Sequence, residues 1–374
     1  MASAPPVTIP TIQYLRGIAA LMVVALHVQA QQLRLGAEPL DLWVLGAGVD
    51  IFFVISGFIM WVTTATRPER TAREFMRDRL IRIVPLYWVV TATMLAILLV
   101  YPQAGQTAIV TGPHVAASFL FVPALNPASG EYTPLLIPGW SLNYEMVFYL
   151  IFALAMLVAR GSLRTRAVLL IGSFMTLVLA GALFSPSGIA GFYTSNIVVN
   201  FVLGIALGIA YLQEIAPRTN RWWWLIAAAA LLLIAIGIGM IDQGGRVLIA
   251  AAAAALVFGA VHLPAARPNP VLLSLGDWSY SLYLIHPIVL SAACQLWLLS
   301  RTTLPISLFT AGSVLLCIAA AAVSFRLIER PITAALKSRL GQRRQLPRRD
   351  GAGLGVDGSV LKTEEGREIP VRGS

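Results

Sequence analysis
Six ionisable side chains interrupt otherwise apolar stretches of the sequence: Arg16, His27, Asp50, Glu145, Asp277 and His286. An imidazole beside a carboxylate is the arrangement of a general base, because the acid holds the ring tautomer and supports proton abstraction. Arg16 and His27 are eleven residues apart. On a helix that spacing returns to within about 20° of the same face, about 16 Å further along the axis. One helix face thus carries a cation near one end and an imidazole well inside. Arg79 and Arg82, three residues apart at the head of another apolar run, share a helix face. Guanidinium forks match phosphate oxygens, so with Arg16 they form a candidate cradle for a polyphosphate ligand. The plainer readings are a snorkelling anchor for Arg16, an interhelical hydrogen bond for His27, buried ion pairs for the acids, and a helix-break hydrogen bond for His286 ahead of Pro287.

Membrane helices must position these groups. The chain has 374 residues, 58% hydrophobic and 12% charged, with a mean hydropathy of +0.78. A soluble domain carries roughly 25% charged residues, so there is too little polar surface here to coat a water-soluble globule. The expected fold is all-α, a polytopic membrane bundle of about ten transmembrane helices, each needing ~20 apolar residues. The candidate spans are 12–32, 43–63, 82–101, 140–160, 167–185, 192–212, 222–241, 246–263, 276–299 and 305–328. Residues 1–11 read as an N-terminal segment, 12–332 as the transmembrane domain and 333–374 as a disordered basic and polar tail. Met1 to Thr11 lacks the basic region of a cleavable signal, and Arg16 and His27 interrupt the first run, so a retained first helix is expected. Residues 115–125, bracketed by Pro113, Pro123 and Pro127, are too short to span and read as interfacial or re-entrant. Cys294 and Cys317 lie in apolar runs and are expected to be free buried thiols. Gly204 and Gly208 make a small-xxx-small pair suited to helix packing, and Trp222, Trp223 and Trp224 read as an interfacial belt.

A net charge of +10 raises nucleic acid as a partner, but the placement argues for membrane topology instead. With the N-terminus cytoplasmic, twelve loop arginines fall on the cytoplasmic side: Arg67, Arg70, Arg73, Arg77, Arg79, Arg82, Arg160, Arg164, Arg166, Arg218, Arg221 and Arg267. Three, Arg34, Arg246 and Arg301, fall opposite. Both termini are therefore expected in the cytoplasm. The second and fourth spans run inward, with Asp50 shortly after Trp43 and Glu145 shortly after Trp140. This bookkeeping puts His27, Asp50 and Glu145 at one level in the outer half, so either acid could orient the imidazole. No Walker loop, dinucleotide fingerprint or zinc-ligand spacing is present in the sequence, and no metal is expected.

Six pieces of sequence, in order, resemble acyltransferase family 3 membrane acyltransferases: Ile12 to His27 with its Arg-x10-His, Gly48 to Phe58, Arg79 to Pro85, Trp140 to Glu145, Ser279 to Pro287, and Phe325 to Pro331. The first three look most like the exopolysaccharide acetyltransferase branch. The resemblance implies an acyl-CoA donor, acetyl-CoA foremost, approached from the cytoplasm. It implies an acceptor hydroxyl on a glycan or lipid-linked oligosaccharide, in a bacterial inner membrane. Arg16 and His27 match the family's first-helix motif and Glu145 its acid; Ser56, Trp140, Ser141, Tyr283, His286 and Glu329 lie in the other matching pieces. A basic motif is sometimes written Arg-x3-Arg, which Arg73 and Arg77 fit and Arg79 and Arg82 do not. Many members carry a fused esterase-like domain, which these residues do not contain, so action alone or with polysaccharide-assembly proteins or a second copy is expected. On this reading the donor phosphates dock on Arg16, Arg79 and Arg82, and His27, oriented by Glu145 or Asp50, takes the acceptor proton. Direct transfer and a covalent step on His27 or Ser56 both stay open. Two other functions also stay open: a polysaccharide or small-molecule transporter or flippase without acyl chemistry, and acyl transfer to a lipid or hydrophobic metabolite.

Overall fold
The computed structural model describes residues 9–38, 42–104, 109–215, 225, 227–230, 243–263, 268–302 and 304–342. Regular structure among them is entirely helical. The α-helices in chain order are α1 Pro10–Arg34, α2 Ala47–Ala65, α3 Ala72–Val100, α4 Gly112–Phe119, α5 Gly139–Ala159, α6 Leu163–Phe184, α7 Gly188–Tyr193, α8 Val199–Leu212, α9 Gln243–Val261, α10 Pro270–Ser300, α11 Ile306–Ser324 and α12 Arg330–Gln342. Their starts follow local chemistry. Thr71 and Glu74 close a capping box on α3, Ser162 caps α6, and Asn269 accepts from the Val271 and Leu272 amides at the head of α10.

Among the described residues, eight helical segments are long and apolar enough to cross a membrane. They include Gly188–Leu212, where α7, a 3-10 turn and α8 run on as one span, and Ile306–Leu340, where a π turn at Phe325–Glu329 joins α11 to α12. The chain is thus a polytopic helical membrane protein. Arg246–Val261 is a shorter apolar helix. Most of the expected span 222–241, with Trp222, Trp223 and Trp224, lies outside the described residues. Helix continues through α12 to Gln342, ten residues past Ile332, where the sequence led us to expect the polar tail to begin.

Close backbone crossings organise the bundle, as packing without a hydrophobic drive between helices requires. A Cβ on Gly276 of α10 would stand 2.2 Å from the Gln13 carbonyl oxygen of α1. A Cβ on Gly204 of α8 would stand 2.1 Å from the Val54 oxygen of α2, and Gly208 lies against Trp61. The small-xxx-small pair therefore seats α8 on α2. Gly204→Leu is expected to cut the yield of folded protein at least severalfold, because the obstacle is backbone that cannot move aside; monodisperse yield from membranes measures this.

The long connection between α3 and α5 does not span. α4 has eight residues, about 12 Å of helix. The polypeptide after it turns into the bundle, burying Leu135 and Leu136 at 1% exposure. Gly139, the first residue of α5, packs on the ring of Tyr87, and Tyr283 donates to the Pro138 carbonyl at 3.1 Å. α5 therefore begins inside the bundle rather than at its surface. Cys294 and Cys317 are free and buried, as their apolar surroundings suggested.

Candidate active site
A cavity of about 300 Å³ lies among α1, α2, α3, α5 and α10. Arg16, Arg79, Arg82, Ser56, Ser141, Glu145, Tyr149, Tyr280 and Tyr283 contribute its polar lining, with Gln13 and Ser279. Ile9, which precedes α1, also lines it, so the cavity reaches the end of the bundle where α1 begins.

Helix geometry explains why these groups meet. Tyr87 stands about 22 Å along α3, level with the start of α5. The stacked rings of Phe75 and Phe152, 4.9 Å apart, show that α5 runs antiparallel to α3. Counting back from Gly139 brings Glu145 to about 13 Å along α3, between Arg79 at about 10 Å and Arg82 at about 15 Å. The sequence-based level for Glu145 is thus corrected. It took Trp140 as the surface end of its helix, whereas the buried connection pushes that end inward. Glu145 belongs with the arginines.

Hydrogen bonds settle its partners. Ser56 Oγ donates to Glu145 Oε1 at 3.0 Å, and the Tyr149 hydroxyl donates to the same oxygen at 2.6 Å. Asp50 accepts from Asn200 Nδ2 at 2.6 Å. Neither acid is bonded to His27 among the described residues, which corrects the expected imidazole–carboxylate pair. The Asp50 carboxylate is taken up across the α2–α8 contact, and the Glu145 carboxylate by the hydroxyls of the cavity.

None of the cavity arginines makes a close ion pair among the described residues. Arg16 Nη1 donates to Gln13 Oε1 at 3.1 Å. Arg79 lies over the rings of Phe75 and Tyr149, at 5.6 and 6.0 Å, with its Nε buried and without a hydrogen-bond partner among the described residues. Among the described residues the close ion pairs are Arg70 and Arg77 with Asp78, outside the cavity. Arg79 and Arg82 line the cavity and Arg73 and Arg77 do not, so the Arg-x2-Arg pair faces inward. Three guanidiniums share the lining with one carboxylate, Glu145, and the buried Glu329 outside it is within electrostatic reach of Arg16 and Arg82, which leaves an excess of one cation. A low-dielectric site holding that excess cation attracts a polyanion.

His27 and His286 sit one ring behind this cavity. Phe52 and Tyr283 line it and contact each other at 5.8 Å. Tyr283 lies 6.2 Å from His286, and His286 lies 4.9 Å from His27, between ring centroids. Ser141 and Tyr283 share a hydroxyl hydrogen bond of 2.8 Å. Trp140 packs edge-on to Tyr144 at 6.0 Å and does not line the cavity. Glu329 is buried and accepts from Ser281 at 2.7 Å outside the lining, and Asp277 is exposed. Tyr149 and Tyr280 were missed from the sequence because neutral phenols do not stand out in apolar helices. The spacing of Tyr149 four residues after Glu145 was the available signal.

Glu145 is expected to hold the hydroxyl network together. Glu145→Ala leaves Ser56 and Tyr149 without their acceptor and should cost about 1–3 kcal/mol of stability. Glu145→Gln keeps an acceptor oxygen in place and should melt close to wild type. Thermal unfolding of the two purified variants measures the difference.

Fold and site define an integral membrane protein built around an anion-attracting cavity. The family model described as an acyltransferase domain matches residues 9–325, and the chain belongs to that family, acyltransferase family 3. It is a membrane acyltransferase. It is 36% identical to the exopolysaccharide production protein ExoZ of Rhizobium meliloti (strain 1021), over 76% of this chain and 89% of that one. It is 26% identical to the acyltransferase MdmB of Streptomyces mycarofaciens, over 76% of this chain and 80% of the other. Protein 2 in the picA locus of Rhizobium radiobacter is 28% identical over 49% of this chain and its own full length. No solved structure matches the chain.

Proposed function
We propose that this membrane acyltransferase moves an acetyl group from cytoplasmic acetyl-CoA to a hydroxyl of an exopolysaccharide or other surface-glycan precursor. The observation that carries the reading is the cavity lined by three guanidiniums without a close ion pair among the described residues, and a pair of imidazoles deeper in the same bundle. Arg16, Arg79 and Arg82 would bind the phosphates of the donor, whose pantetheine arm then extends past Tyr283. Arg16 and His27 are separated by about 16 Å along α1, a gap suited to an extended arm between nucleotide and thioester. The positive-inside balance of the sequence supports a cytoplasmic side for the arginine end and both termini, in a bacterial inner membrane.

His27 has the atoms for the base step. Its Nδ1 lies 2.8 Å from the Val23 carbonyl oxygen. A carbonyl only accepts, so Nδ1 carries the proton and the neutral ring keeps its lone pair on Nε2. In this reading Nε2 takes the proton of the acceptor hydroxyl as the alkoxide oxygen attacks the thioester carbonyl. Collapse of the tetrahedral intermediate forms the ester and expels the thiolate, which recovers the proton from the imidazolium. The balance needs neither a metal nor a redox partner. The likeness to an exopolysaccharide production protein supports a glycan acceptor.

The test uses purified protein in lipid with radiolabelled acetyl-CoA and a lipid-linked oligosaccharide fraction. Expected is acceptor-dependent release of CoA with label in the glycan. A protein that moves the oligosaccharide across the bilayer without thioester turnover would favour a flippase instead. Label in lipid alone would move the acceptor class to lipids.

A further inference from the structure
His286 is fully buried, and its Nε2 has no hydrogen-bond partner among the described residues. Burying a polar nitrogen without a partner costs free energy, so an orphan of this kind points to a use. Its other nitrogen, Nδ1, lies 3.2 Å from the Leu282 carbonyl oxygen. As at His27, the carbonyl fixes the proton on Nδ1 and leaves the Nε2 lone pair free. The two rings come from different helices, α1 and α10, and stand 4.9 Å apart at a tilt of 60°. The rings are neighbours at this separation, and no hydrogen bond joins them in this structure. The Gly276–Gln13 crossing holds α1 against α10 nearer the start of both helices. Neither ring has a carboxylate bonded to it among the described residues, so the usual partner of a catalytic imidazole is missing.

We propose that His286 is the positioning residue for His27, and that the proton removed from the acceptor hydroxyl is held between the two Nε2 atoms. This rests on the acyl-transfer reading and assigns the role there expected of Glu145 or Asp50. In the resting state both Nε2 atoms are acceptors, so the pair has room for one proton and supplies none of its own. The acceptor O–H provides that proton to His27. His286 then accepts the hydrogen bond of the imidazolium, and the departing thiolate takes the proton back. No charge crosses the cavity, and the pair returns to two neutral rings.

His286 also has a structural job, at a different atom. Pro287 lacks an amide hydrogen, which weakens the helix at this turn, and Nδ1 of His286 bonds the Leu282 carbonyl there. The two roles separate by substitution. His286→Asn places an amide donor near the Nδ1 position and removes the Nε2 acceptor. His286→Gln places its amide oxygen near the Nε2 position.

With acetyl-CoA and the glycan acceptor, His286→Asn is expected to lower kcat by about 100-fold, with KM for acetyl-CoA unchanged within about twofold. His286→Gln is expected to recover at least tenfold of that loss. Equal rates for the two variants, or a wild-type rate for His286→Asn, would overturn the proposal and leave only the bond to Leu282. Wild-type protein with no thioester turnover would instead sink the acyl-transfer reading itself. Nitrogen-15 spectra of the wild-type protein give a reading that does not depend on variant folding, since the chain has only 4 histidines. Three of them, His27, His262 and His286, have Nδ1 on a backbone carbonyl and should carry their proton there in the neutral form, and His27 and His286 should share one Nε2 proton when half-protonated. Independent protonation of His27 and His286 would contradict a shared proton.

Discussion

His27→Ala is expected to lower acyl transfer by about 100- to 10,000-fold, the span typical of a lost general base, while acetyl-CoA binding stays within about twofold. The imidazole is the one group on α1 with a lone pair fixed by its own helix: the bond from Nδ1 to the Val23 carbonyl leaves Nε2 to accept. His27 does not line the arginine cavity, so removing it leaves the phosphate contacts intact. Donor affinity measured by calorimetry in nanodiscs, beside turnover with the glycan acceptor, separates the two effects. A variant that binds and turns over like wild type would remove His27 from the chemistry. A variant that loses donor binding as well would show that the nucleotide sits deeper than the arginines allow.

Arg82→Met is expected to raise KM for acetyl-CoA by about 10- to 100-fold with kcat little changed. A charge-assisted hydrogen bond to phosphate contributes about 1.5–3 kcal/mol, and an interaction made equally in ground and transition states appears in KM alone. Arg82 suits this test better than its neighbours. Arg16 is bonded to Gln13, and Arg79 packs over Phe75 and Tyr149, so their removal disturbs the protein as well as the ligand. Methionine keeps most of the apolar stem of Arg82 and removes the fork. Acetyl-pantetheine, which has no nucleotide, supplies the control: its much weaker turnover should be the same in Arg82→Met and wild type. Equal sensitivity of both donors would place Arg82 away from the phosphates.

The sequence made the ionisable groups legible for a physical reason. An arginine or an imidazole inside a lipid-soluble run is costly, so each one is conspicuous and each marks either a site or a boundary. Arg16, Arg79, Arg82 and Glu145 do share a cavity. Depth was much less legible. It was counted from tryptophans taken as interface markers, and Trp140 is instead held inside by Gly139 on Tyr87 and by the buried stretch through Leu135 and Leu136. A loop that folds into the bundle breaks the proportionality between sequence position and depth, and periodicity carries no signal for it. Asp50 misled for another reason. Its charge was visible, but its partner Asn200 lies 150 residues away on a helix whose rotation the sequence does not fix. The imidazole pair shows the same limit from the favourable side: His27 and His286 were each singled out, and only the crossing of α1 with α10 joins them.

The most direct measurement is a structure of the protein in a lipid nanodisc with a non-hydrolysable acetyl-CoA analogue. Expected is the diphosphate on Arg16, Arg79 and Arg82, the arm passing Tyr283, and the carbonyl carbon within reach of an acceptor oxygen held at His27 Nε2. A nucleotide bound elsewhere, or an acyl carbon that ends in the cavity with Tyr283 still closed between it and the two imidazoles, would contradict the proposed mechanism.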